Sequence, residues 1–165
     1  DASVDDLCHS FRREFLESSP YEALLFLLGS EVEREPSGRH FSDAAWSFDS
    51  DCIGEDGGYA AIVENVARIS GKADQLEGLT DSVDMGAGKA SLEYTLAGQK
   101  RQFRPAVNGD WADPATVQGI IDQFADGEVG FYGIDNGQGT IIYCLKRSDA
   151  DGFEALVPQD VMEIA

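Results

Sequence analysis

Residues 92–107 read Leu-Glu-Tyr-Thr-Leu-Ala-Gly-Gln-Lys-Arg-Gln-Phe-Arg-Pro-Ala-Val, and this stretch decides the fold class. From Leu92 to Leu96 apolar and polar side chains alternate, which is the two-residue period of a half-buried β-strand. Gly98-Gln99 is the predicted turn, and Lys100–Val107 is the predicted return strand. So tight a turn joins antiparallel strands, because parallel strands need a long crossover connection. The stretch therefore predicts an antiparallel hairpin.

Further segments show strand patterns of the same kind. They are the region around Trp46 and Phe48, the edge candidate Leu76–Met85, the pair Val129–Asp135 and Thr140–Leu145, and the terminal segment Val161–Ile164. The pair flanks Asn136-Gly137, a dipeptide typical of the type I′ turn, which needs positive φ at both central residues. The sequence thus predicts a second antiparallel hairpin.

Five segments have the 3.6-residue apolar period of a helix. They are Val4–Glu17, Tyr21–Leu28, Tyr59–Ile69, a helix that begins after Asp113-Pro114, and a short one from Ser148. Ser3 with Asp6 resembles a capping box, and Asp56 and Asp113 are predicted N-caps. Helices interspersed among antiparallel strands predict an α+β fold in a single domain, residues 1–165. We expect the helices to pack on one face of a meander-like sheet.

The formal net charge of the chain is −19, and it is unevenly distributed. Residues 1–60 have 14 acidic and 4 basic side chains, residues 61–110 have 7 and 6, and residues 111–165 have 10 and 2. Nucleic acids and anionic membranes bind basic surfaces, so we expect neither as a direct partner. The three cysteines, Cys8, Cys52 and Cys144, have no paired spacing, which predicts reduced, buried thiols in a cytoplasmic protein.

Motifs for catalysis or metal binding match poorly. Asp49-x-Asp51 begins like a calcium loop, but Ile53 and Ala60 occupy the fifth and twelfth positions, where oxygen ligands belong. Neither glycine-rich spacing typical of a phosphate-binding loop occurs, and neither of the 2 histidines has a second ligand nearby in sequence. We therefore predict no enzyme activity, no catalytic residue, no metal ion and no cofactor.

Acidic residues in two loops are the candidate contacts for a protein partner. The set is Asp49, Asp51, Glu55, Asp56, Asp110, Trp111 and Asp113. Tryptophan is common at binding hot spots, and the flanking carboxylates would attract a basic protein. A core position for Trp111, with Asp113 capping the next helix, is the preferred interpretation of the second loop.

Four segments together resemble a known family. They are residues 46–62 (Trp-Ser-Phe-Asp-Ser-Asp-Cys-Ile-Gly-Glu-Asp-Gly-Gly-Tyr-Ala-Ala-Ile), Leu92–Gly98, Asp110–Pro114 and Gly137-Gln-Gly. Over residues 44–157 the chain resembles small bacterial immunity-type proteins that accompany polymorphic or contact-dependent toxins. The resemblance implies a non-enzymatic inhibitor of one cognate toxin domain, such as a basic nuclease, a deaminase or an ADP-ribosyl-transferring enzyme. A basic target fits the acidic surplus, because complementary charge accelerates association.

Two other functions remain open. Adaptation to high salt also produces acidic chains, and here 18 Asp exceed 13 Glu while 4 Lys stand against 8 Arg. The other is a small enzyme or ligand-binding domain with a site built from dispersed carboxylates.

Overall fold

The computed structural model describes residues 3–10, 14, 17, 20–135, 139–156 and 161–165. The helices are α1 (Val4–Ser10), α2 (Pro20–Leu28), α3 (Gly58–Ile69), α4 (Pro114–Phe124) and α5 (Ala150–Glu154). The strands are β1 (Ala45–Asp49), β2 (Leu76–Asp84), β3 (Lys89–Leu96), β4 (Gln99–Phe103), β5 (Val129–Asp135), β6 (Gly139–Lys146) and β7 (Val161–Glu163). Short 3₁₀ turns occupy Ala73–Gln75 and Arg147–Asp149.

The strands form two antiparallel sheets, in the orders β1-β6-β5-β7 and β2-β3-β4. The predicted α+β class is confirmed, and so are the two hairpin strand pairs and the edge position of Leu76–Asp84. The second sheet was not predicted. β1 joins β6 from far along the chain, with Ala45 opposite Tyr143, and local sequence patterns do not report such pairings.

The four-stranded sheet is buried on both faces. Along β6, Ile142 and Cys144 face one apolar cluster, while Ile141 and Tyr143 face the other. Helices α2 and α5 cover the second cluster, and α3 and α4 cover the first. The prediction of helices on one face only was therefore wrong. A central strand with large apolar side chains on both faces needs cover on both.

Helices α3 and α4 contact both sheets and join them into one core. On α4, the ring of Phe124 lies 6.4 Å from that of Tyr94 on β3. A Cβ at Gly119 would lie 2.9 Å from the Phe103 ring, so the absence of a side chain there lets β4 approach the helix. The buried face of α3 follows the predicted period, from Tyr59 to Ile69.

The turn between β3 and β4 lies one residue before its predicted position. Leu96 pairs with Gln99, so the central residues are Ala97 and Gly98, with φ of 49° and 75°. A type I′ turn needs positive φ at both positions. Glycine adopts positive φ readily, but alanine rarely does. The sequence therefore gives no sign that Ala97 is a central residue of the turn.

The start of the first helix agrees with its predicted cap. Ser3 Oγ accepts the backbone N–H of Asp6 at 3.2 Å, and the Asp6 carboxylate accepts the N–H of Ser3 at 2.9 Å. Arg39 pairs with Asp6 at 3.0 Å, and its hydrogen bond holds the pKa of that carboxyl well below its usual range.

Some predictions fall outside the described residues. These are most of the helical extension beyond Ser10, including Phe11 and Phe15, the Asn136-Gly137 turn and the side chain of Cys8. Among the described cysteines, Cys144 is free and buried, as predicted, whereas Cys52 is free and exposed. Burial is thus the wrong prediction for Cys52, which lies in the loop before α3.

Candidate functional site

Two loops that are far apart in sequence run side by side. The N–H of Ile53 donates to the carbonyl of Asp110 at 2.8 Å, and the N–H of Ala112 donates to the carbonyl of Ser50 at 2.8 Å. Ile53 and Ala112 are buried and anchor the two loops to the core. This short backbone pairing places Asp51 directly opposite Trp111.

The pairing brings four of the predicted contact residues together, and we name Asp49, Asp51, Asp110 and Trp111 the acidic surface. All four are exposed. Asp110 and Asp49 are the charged neighbours that act on the carboxyl group of Asp51. The pKa of Asp51 is raised above its usual value, first by the charge of Asp110 and then by desolvation, the hydrogen bond from Asp110 and the charge of Asp49. The acidic surface therefore holds carboxylates whose negative charges repel one another.

Some other carboxylates of the protein are paired with cations. The short pairs include Asp126 with Lys72 at 2.8 Å, Glu93 with Lys100 at 2.9 Å, and Glu163 with Arg147 at 2.6 Å. Within the described part of the chain, no lysine or arginine lies within ion-pairing distance of the acidic surface.

Trp111 does not fill the core, which corrects the preferred interpretation of its loop. Its side chain is 46% exposed, whereas the other tryptophan, Trp46, packs on Phe48 with ring centroids 5.0 Å apart. Trp111 follows the turn Asn108–Asp110, in which Gly109 has a φ of 61°. That turn and the strand-like bridge to Asp51 point its side chain away from the core. A large exposed aromatic next to unpaired carboxylates is typical of an interface.

Asp113 is half-buried, and its side chain makes hydrogen bonds within the fold instead of joining the acidic surface. It is the N-cap residue of α4, as predicted, and its carboxylate accepts the hydroxyl of buried Thr116 at 2.7 Å. That hydrogen bond is the main reason that the pKa of Asp113 is lowered. Its own N–H donates to the hydroxyl of Tyr59 at 3.0 Å. Asp113 thus fixes the end of the loop that presents Trp111.

Asp56 does not cap α3, contrary to the prediction. Gly57 is the N-cap residue, and Asp56 Oδ1 instead accepts the N–H of Val83 at 2.6 Å, which ties the loop to the edge of β2. Glu55 is exposed, and no contact in the described structure joins it to the acidic surface. Three of the seven predicted contacts, Glu55, Asp56 and Asp113, are therefore not among the four that meet.

The carboxylate that caps α3 comes from a strand that follows the helix in the chain, and sequence reasoning missed it. Asp81 on β2 accepts the N–H groups of Gly57 at 2.9 Å, Tyr59 at 3.0 Å and Ala60 at 3.3 Å. A signal was present, since Asp81 occupies an inward position of an alternating strand between the partly buried Leu79 and Val83. An acid at such a position requires a donor inside the fold.

The surface depressions lined by described residues include a larger one and a smaller one. The larger, of about 570 Å³, contains Lys89, Arg104, Ser82 and Ser91 but only one carboxylate. That acid, Asp84, accepts the N–H of Ala87 at 2.8 Å within the β2–β3 turn. The smaller, of about 220 Å³, is mostly apolar and adjoins the acidic surface. In the described residues no three histidine, cysteine or acidic side chains are arranged to hold a metal ion.

Comparison with known proteins yields no assignment. No family model matches the chain, and searches of curated proteins and of solved structures find no significant match. Among the described helices, none combines the length and apolar character needed to cross a bilayer.

Proposed function

We propose that this protein is a non-enzymatic inhibitor that binds a basic bacterial toxin domain through the acidic surface. The observation that supports the proposal is the arrangement of Asp49, Asp51 and Asp110 around exposed Trp111, with no cation of the described chain beside them. Like charges held together raise the free energy of the free protein, and a cationic partner would relieve that repulsion.

The chemistry of the surface fits such a target. Proteins that hold nucleic acid present lysine and arginine to phosphates, and a cluster of carboxylates is a surrogate for those phosphates. The net charge of −19 adds long-range attraction, which raises the rate of association with a basic partner. Trp111 would add a central apolar contact that excludes water from the charged pairs. The resemblance to immunity-type proteins favours the same target class, and a basic nuclease is our first choice.

Coexpression tests the proposal directly. Toxin domains encoded beside this gene are expressed in a bacterial host, with and without this protein, and growth is recorded. We expect one toxin to arrest growth, this protein to restore it, and the two to copurify as a complex. Absence of both rescue and complex formation for every neighbouring toxin would contradict the proposal.

Charge variants then locate the surface. The double variant Asp51→Lys/Asp110→Lys should lose rescue, whereas Glu64→Lys/Glu77→Lys should retain it. Glu64 and Glu77 are exposed residues outside the acidic surface, and both double variants change the net charge equally. Equal loss of rescue in both variants would show that total charge matters and the acidic surface does not.

A further inference from the structure

The apolar groove beside the acidic surface has the form of a receptor for one side chain. Its volume is about 220 Å³, and its apolar walls include Phe48, Ala112, Val117, Ile121, Ile142 and Ile164. Sites for small organic molecules usually measure about 300–1,000 Å³. The groove is below that range, and its size suits an anchor residue of a protein partner, which fills a pocket of this kind.

The groove and the acidic surface are formed by neighbouring residues of the same two loops. Ser50 and Ala112 line the groove and are hydrogen-bonded to each other across the two loops. Ser50 lies between Asp49 and Asp51 in the chain, and Ala112 directly follows Trp111. The acidic surface therefore begins one residue away from the groove lining in each of the two loops.

A further carboxylate lies on the α4 side of the groove. Gln118 lines it and donates its amide to exposed Asp122 at 2.8 Å and to the carbonyl of Ile164 at 2.9 Å. Negative charge is thus present beside the groove on the loop side and on the helix side. An occupant that combines an apolar side chain with positive charge on both sides of it would match this arrangement.

We propose that the groove binds one aliphatic or aromatic side chain of a lysine- and arginine-rich segment of the partner protein, whose cations contact Asp49, Asp51 and Asp110. This inference rests on the proposed function and adds a specificity element to it. Charge alone attracts every basic protein, whereas a shaped apolar groove selects those that carry a suitable side chain between their cations.

Labelled peptides test the inference without knowledge of the partner. The probes are Lys-Arg-Gly-Leu-Gly-Arg-Lys and the same peptide with serine in place of leucine, and the readout is fluorescence anisotropy with the full chain at low ionic strength. Burial of a leucine side chain is worth enough to give about tenfold tighter binding of the leucine peptide. Raising the salt concentration should weaken both peptides and preserve their ratio.

Variants on α4 provide the control. Gln118→Trp should obstruct the groove and bring the leucine-to-serine ratio close to one, and Val117→Phe, which fills the groove from its wall, should do the same. Ala115→Trp places the same indole at an exposed position of α4 outside the groove and should leave the ratio unchanged. Because Gln118 is at the surface, its variant keeps the test valid even if Val117→Phe does not fold.

The outcomes separate the two proposals. Equal binding of both peptides by the unaltered protein would overturn the proposal that the groove binds a side chain. If both peptides also bind more weakly to Asp51→Asn/Asp110→Asn but not to Glu64→Gln/Glu77→Gln, the acidic surface is supported. Equal weakening in the two double variants would overturn the acidic surface and therefore both proposals. A leucine preference that Gln118→Trp abolishes and Ala115→Trp preserves supports the groove.

Discussion

Asp51 and Asp81 both lie near the beginning of α3, but their surroundings are opposite. Asp81 accepts three backbone N–H groups, the shortest contact being 2.9 Å, and so satisfies the exposed end of a helix. Asp51 faces the carboxylates of Asp110 and Asp49, and its pKa is raised by them. The first carboxylate stabilises the fold. The second has like charges as neighbours, which disfavour its ionised form, and we propose that it serves binding instead of stability.

The largest expected effect comes from removal of the helix cap. Asp81→Ala should lower the free energy of unfolding by about 2 kcal/mol, because the N–H groups of Gly57, Tyr59 and Ala60 lose a charged acceptor. Urea denaturation measures the change. Glu77→Ala, at an exposed position of the same strand, is the control and should change stability by less than about 0.5 kcal/mol. Equal effects of the two variants would contradict the role of Asp81.

A smaller loss is expected at the cap of α4. Asp113→Ala should cost about 1 kcal/mol at neutral pH, because buried Thr116 loses the acceptor of its hydroxyl. The pKa of Asp113 is lowered in the folded protein, so its stabilising effect is present above the unfolded pKa and is lost as pH falls through the folded value. Urea titrations at neutral and acidic pH should show the variant and the unaltered protein converging in acid. A constant difference would exclude this carboxylate as the cause.

Asp51→Asn should have the opposite sign and raise the melting temperature at neutral pH. The pKa of Asp51 is raised in the folded protein, so the stability linked to its protonated form is present at low pH and is lost as pH rises through the folded value. Asparagine cannot ionise, so the variant does not lose this stability as the pH rises. Thermal unfolding across the acidic range should show the gain disappear as the carboxylates of the unaltered protein protonate. A variant that is less stable at neutral pH would contradict the electrostatic description of the surface.

The dependence of the melting temperature on salt distinguishes the proposed binding surface from adaptation to high salt. Screening weakens repulsion between exposed charges, so added KCl should raise the melting temperature modestly. If the acidic surface is the main source of that repulsion, Asp51→Asn/Asp110→Asn should show much less salt dependence. Glu64→Gln/Glu77→Gln, with the same change in net charge, should keep it. Identical salt dependence in both variants would favour acids spread over the surface as an adaptation to salt.

The smallest effect on stability is expected at Trp111. Because the side chain is 46% exposed, Trp111→Ala should change the free energy of unfolding by less than about 0.5 kcal/mol. The same variant should weaken partner binding strongly. Trp46→Ala is the comparison, since Trp46 packs on Phe48 and its loss should destabilise the protein measurably. Unfolding curves of the two variants, measured together, distinguish an exposed tryptophan from one that is partly buried against the core.

Local chemistry explains which features could be predicted. The alternation from Leu92 to Leu96, the apolar period of α3 and the cap at Asp113 are all encoded within a few residues, and each appears in the structure. The second sheet depends on contacts between distant segments, such as Ala45 with Tyr143, for which no local pattern exists. The same limit hid the cap from Asp81, whose partners are more than 20 residues away.

The candidate site shows the same division. Sequence reasoning selected the first loop for its acidic residues and the second because carboxylates flank Trp111. It could not predict that backbone pairing of Ile53 with Asp110 would bring the two loops together. It also placed Trp111 in the core by preference, because exposure of a tryptophan depends on what surrounds it in three dimensions. The groove beside Ser50 and Ala112 is formed by residues from β1, β6, α4 and the C-terminal segment. No single stretch of the sequence contains it.

The most direct test of the central claim uses the toxin domain whose growth arrest this protein reverses. Its dissociation constant is measured with two charge-matched variants of this protein. Truncating the charge of a buried interfacial acid typically costs several kcal/mol, so Asp51→Asn/Asp110→Asn should weaken binding by about 100-fold or more, mainly through faster dissociation. Glu64→Gln/Glu77→Gln should change it by less than about threefold, mainly through slower association. Equal changes in both variants, or no change in the first, would contradict the claim that the acidic surface is the binding site.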